Sequence, residues 1–116
     1  QVLQKMMDDL VTQSRVAVDT ESNSLHAFRE QVCLIQITST NADYLIDPLE
    51  LRDLKLLAPI FSNPRIEKVF HAAEYDLICL RRDFGFSFAN LFDTMHAARP
   101  SFFGMLAERL LARLTA

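Results

Sequence analysis

The segment that most constrains the fold is Gln31–Thr38, which reads Gln-Val-Cys-Leu-Ile-Gln-Ile-Thr and is nearly continuous in apolar residues. A run of this kind is typical of a strand that is buried on both faces, so it belongs in the interior of a sheet and not at a solvated edge. A sheet with two buried faces needs helices packed on it. We therefore expect the rest of the chain to supply neighbouring strands and covering helices.

The remaining apolar pattern predicts further strands and several helices. Apolar residues at helical spacing predict a first helix over about residues 1–12. We predict strands at residues 15–19, 31–38, 43–47, 66–71 and 88–92. Further helices are predicted from residue 54 to about residue 63, at 73–84, from Thr94 and at 103–114. Residues 20–30 are polar and are predicted to form a turn, and Gly85 is predicted to end the helix at 73–84. Three successive strands followed by strands alternating with helices indicate an α/β fold in which helices flank a mixed β-sheet.

Length and composition bound the class of protein. A chain of 116 residues is predicted to form a single domain, residues 1–116. Its formal net charge of −3 excludes a strongly basic nucleic-acid coat protein. Cys33 and Cys79 lie inside apolar runs, which predicts two buried thiols in a reducing intracellular compartment, the cytoplasm or the nucleus. No apolar run in the sequence is long enough to cross a membrane. Because the sequence does not begin with Met, we expect it to be part of a longer protein.

Asp19 and Glu21 are the first candidate site residues. They are predicted to lie at the end of the first strand, and residues i and i+2 of a strand project from the same face. Two adjacent carboxylates repel each other unless a cation joins them, so the pair is typical of a site for Mg²⁺ or Mn²⁺. A solvated acidic turn would show the same short pattern, and the pair taken alone favours that alternative.

Asp76 is the third candidate, in the helix predicted to follow the fourth strand. Acids at a helix N-terminus complement its dipole and free N–H groups. This explains Glu74 well but explains Asp76 less well, because Asp76 lies deeper in the helix. The C-terminal ends of adjacent parallel strands meet at one crevice, so we expect Asp76 and Asp19 to converge if their strands are neighbours.

Asp93 and His71 are candidates for supporting roles. Asp93 follows the last predicted strand, where Asp is favoured as the N-cap of a helix, and a role as a metal ligand stays open. His71 lies at the end of the fourth predicted strand, between Phe70 and Ala72, where a hydrogen-bonded structural role is commoner than a catalytic one. We place both residues near the site without assigning either of them to catalysis.

Together these segments resemble the ribonuclease D type of 3′-5′ exonuclease domain, including its exosome-associated branch, in the DEDD superfamily. The resemblance extends over about residues 16–99 and depends on separate blocks that occur in the family's order. The blocks are residues 16–21 (VAVDTE), 32–37 (VCLIQI), 44–49 (YLIDPL), 68–77 (KVFHAAEYDL), 82–85 (RDFG) and 90–95 (NLFDTM). The resemblance implies a ribonuclease H-like fold, which in this chain would be incomplete at its C-terminal end.

The resemblance also implies a function and a role for each matching residue. Asp19 and Glu21 match the family's first motif and Asp76 matches its second, so all three are expected to be catalytic residues that bind two Mg²⁺ or Mn²⁺ ions. The implied reaction is hydrolysis of phosphodiester bonds at the 3′ end of single-stranded nucleic acid, with RNA favoured over DNA. Its products would be nucleoside 5′-monophosphates.

The family's third motif is absent from these 116 residues. That motif holds a Tyr that orients the attacking water and, four residues on, a metal-binding Asp, whereas Tyr44 and Tyr75 are the only tyrosines here and no Asp follows Asp93. We expect these residues alone to be weakly active or inactive, because a positioned base commonly supplies about 10²–10⁴-fold in rate. Two alternatives stay open. One is a non-catalytic exonuclease-like scaffold that binds nucleic acid or protein; the other is a phosphatase with Asp19 as nucleophile, which normally has a second Asp where Glu21 stands.

Overall fold

A mixed β-sheet organises the structure, a computed structural model that describes residues 2–23, 31–51 and 53–97. The strands are β1 (Arg15–Asn23), β2 (Gln31–Thr38), β3 (Asp43–Ile46), β4 (Glu67–Phe70) and β5 (Leu91–Asp93). They form one five-stranded sheet in the order β3-β2-β1-β4-β5. β1 is antiparallel to β2 and parallel to β4, β2 is antiparallel to β3, and β4 is parallel to β5. The predicted α/β fold with a mixed sheet is confirmed, and Gln31–Thr38 is an interior strand with the predicted bounds.

Four helices pack with this sheet in the described residues. They are α1 (Val2–Leu10), α2 (Ala58–Ser62), α3 (Ala73–Phe84) and α4 (Thr94–Ala97). Gly85 ends α3 with a φ of 72° and donates its N–H to the Arg81 carbonyl, which confirms its predicted capping role. The helix predicted from residue 54 to about residue 63 is confirmed at its end, since α2 ends at Ser62 with Asn63 as its C-cap. It is wrong at its beginning: a 3₁₀ turn, Leu54–Leu57, precedes α2, because Pro59 in the first turn of α2 cannot donate a backbone hydrogen bond. The helix predicted at 103–114 lies outside the described residues.

Two strand boundaries differ from the sequence prediction by more than one residue. β1 was expected to end at Asp19 but continues to Asn23, because its polar second half pairs with β2 as far as Asn23↔Gln31, across a register shift after Glu21. Cross-strand hydrogen bonds thus override the turn-like composition of this segment. β5 begins at Leu91 and not at Phe88, since the Phe88 ring packs instead against Phe61 at a centroid distance of 5.1 Å.

Buried apolar residues occupy both faces of the sheet. Val16 and Val18 of β1 belong to the larger core, which they share with residues of α1, α2 and α3. Ala17 projects from the opposite face and packs with Val69 and the partly buried Phe92. Both cysteines are free, and Cys79 is buried as predicted, but Cys33 is only partly buried. No helix among the described residues is long and apolar enough to span a membrane.

Candidate active site

The candidate site lies where β1 runs past the end of β4. The two parallel strands pair as far as Ala17↔Val69. β1 then continues to Asn23 through its pairing with β2, while the chain that leaves β4 enters α3 at Ala73. The second half of β1 and the first turn of α3 therefore meet at the same end of the sheet, as adjacent parallel strands require.

Asp19 and Glu21 lie within β1 and not at its end, which corrects the predicted position. Both side chains are exposed, whereas Thr20 between them is partly buried. Because side chains alternate along a strand, the two carboxylates project from the face of Ala17 and Thr20 projects from the opposite face. The pair is thus presented side by side to solvent, while Thr20 faces the helix that follows β4.

Asp76 is the partly buried member of the acidic set. Its Oδ1 accepts a hydrogen bond from the Thr20 hydroxyl, which links α3 directly to β1. Burial raises the pKa of Asp76, the Thr20 hydrogen bond lowers it, and the negative charges of Asp19 and Asp93 raise it again. The net shift is upward. The surroundings of Asp76 therefore disfavour its ionised form.

The donor chemistry of this set fits a hard divalent cation. Asp19, Glu21 and Asp76 offer carboxylate oxygens, the ligands that Mg²⁺ and Mn²⁺ prefer, and a cation would offset the repulsion that raises the pKa of Asp76. In the part of the chain that the structure describes, however, no three His, Cys, Asp or Glu side chains already form a group that could hold a metal ion. The structure brings Asp19 and Asp76 within electrostatic reach of each other and does not place the three carboxylates as a finished ligand set.

Asp93 fixes the beginning of α3. Its carboxylate accepts hydrogen bonds from the backbone N–H groups of Ala72 (3.0 Å), Ala73 (2.8 Å) and Met95 (2.9 Å). Ala72 has a left-handed φ of 57° and no capping side chain of its own, so the carboxylate of Asp93 takes the place of an N-cap. One acid at the end of β5 thus stabilises the starts of both α3 and α4.

His71 ties the same two junctions together from its exposed position after β4. Its Nδ1 shares a hydrogen bond of 2.7 Å with Oγ1 of Thr94, which is only 2% exposed. Thr94 is the first residue of α4, so this contact parallels the one that Asp93 makes. Both contacts join the residues at the start of α3 to the end of β5 and the start of α4.

Thr20 is the functional candidate that sequence reasoning missed. Its side chain faces away from the flanking acids, and only the three-dimensional contact with Asp76, 56 positions away, reveals it. The one available signal was its position between two candidate ligands, and a single hydroxyl there has no pattern of its own.

Comparisons with known proteins agree with this geometry. A family model described as 3′-5′ exonuclease matches residues 1–115. The exosome complex exonuclease RRP6 of Saccharomyces cerevisiae is 44% identical over 98 residues, which cover 84% of this chain and 13% of that protein. The chain therefore spans only a small part of the length of this curated relative.

Solved structures give the same result. The catalytic core of RRP6 from Trypanosoma brucei matches with a TM-score of 0.78 and 38% identity, covering 82% of this chain and 27% of that one. Escherichia coli RNase D, described as an exoribonuclease involved in structured RNA processing, matches with a TM-score of 0.75 and 30% identity, covering 92% of this chain and 30% of that one. The fold of this chain is thus similar to part of each of these two proteins.

Proposed function

This chain belongs to the 3′-5′ exonuclease family, and we propose that it supplies Asp19, Glu21 and Asp76 to an enzyme that hydrolyses phosphodiester bonds at the 3′ end of single-stranded RNA. The products would be nucleoside 5′-monophosphates. The activity, the substrate and the residue roles are proposals, since the chain covers 13% of the yeast relative and 27% of the trypanosome structure.

The observation that carries this proposal is the environment of Asp76. A partly buried carboxyl that is hydrogen-bonded to Thr20 of β1 and repelled by Asp19 and Asp93 costs free energy in the folded chain. Perturbed acids of this kind concentrate at functional sites, where a cation or a substrate completes the charge balance. Here the perturbed acid, Asp76, is also the residue that matches the family's second motif.

Two Mg²⁺ or Mn²⁺ ions are the cofactors that this set would hold, with Asp19, Glu21 and Asp76 as ligands. When bound, such a pair supplies an activated water and stabilises the leaving oxygen of the scissile phosphodiester. The contribution of the chain itself is to orient Asp76 through Thr20 and α3. It also keeps Asp19 and Glu21 exposed, where the 3′ end of an RNA can approach them. Bound cations would also offset the electrostatic repulsion between these carboxylates and the phosphates of the RNA.

RNA is the favoured substrate because the relatives are named as an exosome exonuclease and as RNase D. We propose that residues 1–116 act as one domain, and that the protein works in a reducing compartment, the cytoplasm or the nucleus, since Cys33 and Cys79 are free thiols in the described residues.

A non-catalytic, nucleic-acid-binding or protein-binding scaffold is the second candidate, because the acidic side chains of the described residues do not already form a group that could hold a metal ion. No Asp follows Asp93 in the 116 residues, and neither Tyr44 nor Tyr75 is downstream of that residue. A fourth carboxylate and a tyrosine that positions water are therefore not supplied by this stretch. We accordingly expect the 116 residues alone to be weakly active or inactive.

A 3′-end degradation assay separates the two candidates. The substrate is a 5′-labelled single-stranded RNA with Mn²⁺, a DNA of the same sequence tests sugar preference, and the control variant is Asp19→Asn. We expect the RNA to shorten slowly from its 3′ end, more readily than the DNA, and we expect the Asp19→Asn variant to be inert. Mn²⁺ binding is measured in parallel.

The outcomes assign the function directly. Metal binding without cleavage supports the metal site and places the missing catalytic groups outside these residues. Cleavage that survives in Asp19→Asn contradicts the proposed ligand set. A chain that neither binds Mn²⁺ nor cleaves RNA overturns the proposal and leaves the scaffold as its function.

A further inference from the structure

Thr20 is the residue of β1 that contacts the helix carrying Asp76. It lies between Asp19 and Glu21 but projects from the other face of the strand, where it is partly buried. Its hydroxyl donates a hydrogen bond to Oδ1 of Asp76. Three consecutive residues of one strand therefore serve the same site from both faces.

The hydrogen bond from Thr20 holds the carboxylate of Asp76 in place beside two other acids. The negative charges of Asp19 and Asp93 act on this carboxylate and repel it. A threonine in a strand is stiff about χ1 because its side chain branches at Cβ, so its hydroxyl is a fixed donor and not a mobile one. The carboxylate is thus oriented before any cation arrives.

We propose that Thr20 is a positioning residue for metal binding: its hydroxyl orients the carboxylate of Asp76 so that this carboxylate is presented as a ligand beside Asp19. Groups that hydrogen-bond a metal ligand fix its orientation, and their loss typically weakens metal binding by about 10–100-fold. This assignment rests on the proposed function, because it needs Asp76 to be a ligand. It extends that function by adding a residue that touches neither the metal nor the substrate.

The chain offers a matched control in Thr38. Its hydroxyl donates a hydrogen bond of 2.6 Å to Oδ1 of Asp43, so a threonine on the neighbouring strand makes the same type of contact. Thr38 and Asp43 are paired residues of β2 and β3, and on its other side Thr38 pairs with Ala17 of β1 and not with Asp19 or Glu21. Removing this hydroxyl tests the loss of a Thr–Asp hydrogen bond without touching the acidic site.

The experiment measures Mn²⁺ affinity by the paramagnetic resonance signal of free Mn²⁺, and folding by urea denaturation, for the whole 116-residue chain. The variants are Thr20→Val, which keeps the side-chain shape without the hydroxyl, Thr20→Ala as a second form of the same loss, Thr20→Ser, which keeps the hydroxyl, and Thr38→Val. We expect Thr20→Val and Thr20→Ala to weaken Mn²⁺ binding by about 10-fold or more, and Thr20→Ser to stay near the parent value. We expect Thr38→Val to lower the urea midpoint without a change in Mn²⁺ affinity.

The results separate the two claims. If Asp19→Asn abolishes Mn²⁺ binding but both hydroxyl-free Thr20 variants bind as the parent does, Thr20 has no positioning role and the metal site stands. Equal losses of affinity in Thr20→Val and Thr38→Val would reduce the effect to general stability and also overturn the assignment. A parent chain that fails to bind Mn²⁺ overturns the proposed metal site, and the role of Thr20 falls with it.

Discussion

Asp9 and Asp76 are both acids that accept side-chain hydrogen bonds from other segments of the chain, yet their surroundings differ in kind. Asp9, near the end of α1, accepts side-chain hydrogen bonds from Gln13, Ser39, Asn41 and Tyr44. Burial raises the pKa of Asp9, but these four hydrogen bonds outweigh it and leave the pKa below its ordinary value. For Asp76, burial and the charges of Asp19 and Asp93 outweigh the hydrogen bond from Thr20, so its pKa is raised.

The difference distinguishes Asp9, an acid that holds the fold together, from Asp76, the acid that we propose as a metal ligand. Asp9 is a satisfied carboxylate that fastens α1 to the turn between β2 and β3, and its ionised form stabilises the fold. Asp76 lies near other acids, and its ionised form is destabilising unless a cation binds beside it. Substitutions at the two positions should therefore have opposite consequences for stability and for metal binding.

The largest effect on stability is expected when the satisfied acid is removed. Asp9→Ala deletes the acceptor of four side-chain hydrogen bonds and should lower the free energy of unfolding by about 4 kcal/mol, since each such bond contributes about 1 kcal/mol. Urea denaturation measures the loss. Asp8→Ala is the matched control, because the exposed Asp8 accepts one bond, from Gln4. A loss no larger than that of Asp8→Ala would contradict the structural role of Asp9.

A smaller effect is expected at the acid that supports the site without belonging to the ligand set. Asp93→Ala leaves the N–H groups of Ala72 and Ala73 without their acceptor and should cost about 2 kcal/mol of unfolding free energy. Thermal or urea unfolding checks this, with Asp53→Ala as the control for a cap that accepts from a single N–H, that of Lys55. Equal costs at the two positions would show that Asp93 is an ordinary cap and would weaken its proposed effect on α3.

The smallest effect is expected in the pH dependence of stability without metal. The contributions of Asp9 and Asp76 to the free energy of unfolding should change with pH in opposite directions. The lowered pKa of Asp9 adds stability that is present at neutral pH and is lost as the pH falls through its folded-state pKa. The raised pKa of Asp76 adds stability that is present below its unfolded-state pKa and is lost as the pH rises through its folded-state pKa. Urea unfolding of Asp9→Asn, Asp76→Asn and the parent between about pH 3 and pH 7 measures both.

The two substitutions should then change the pH profile in opposite ways. Relative to the parent, Asp9→Asn should lose most stability near pH 7 and least near pH 3. Asp76→Asn should compare most favourably with the parent near pH 7. Parallel profiles for the two variants would contradict the difference between the environments of the two acids.

The fold was largely predictable because its apolar patterns are strong. The bounds of β2 and the end of α3 at Gly85 follow from a continuous apolar run and from a residue that adopts positive φ freely. The second half of β1 was not predictable from local composition, since residues 20–23 are polar and become a strand only through their pairing with β2. The burial of Lys68 was not predictable either, because lysine side chains are normally exposed. Its side chain is fully buried in β4, and its ammonium donates to the carbonyls of Asn63 and Ile66.

The candidate site was predictable as a set of residue types and not as a geometry. Asp19, Glu21 and Asp76 could be named from spacing and resemblance, but the displacement of Asp19 and Glu21 to the interior of β1 could not. The contact between Thr20 and Asp76, and the capping of α3 by Asp93, join segments far apart in the sequence. No local pattern encodes such contacts, because they depend on which strands become neighbours in the sheet.

The most direct test measures the Mn²⁺ affinity of Asp9→Asn and Asp76→Asn. Urea denaturation of the same two samples shows whether each variant is folded. We predict that Asp76→Asn weakens Mn²⁺ binding by more than about 100-fold, beyond the effect typical of residues that only support a ligand, and leaves stability unchanged or higher. Asp9→Asn should lower stability and leave Mn²⁺ affinity unchanged. Retention of Mn²⁺ binding by Asp76→Asn, or its loss in a folded Asp9→Asn variant, would contradict the assignment of Asp76 as the functional acid and Asp9 as the structural one.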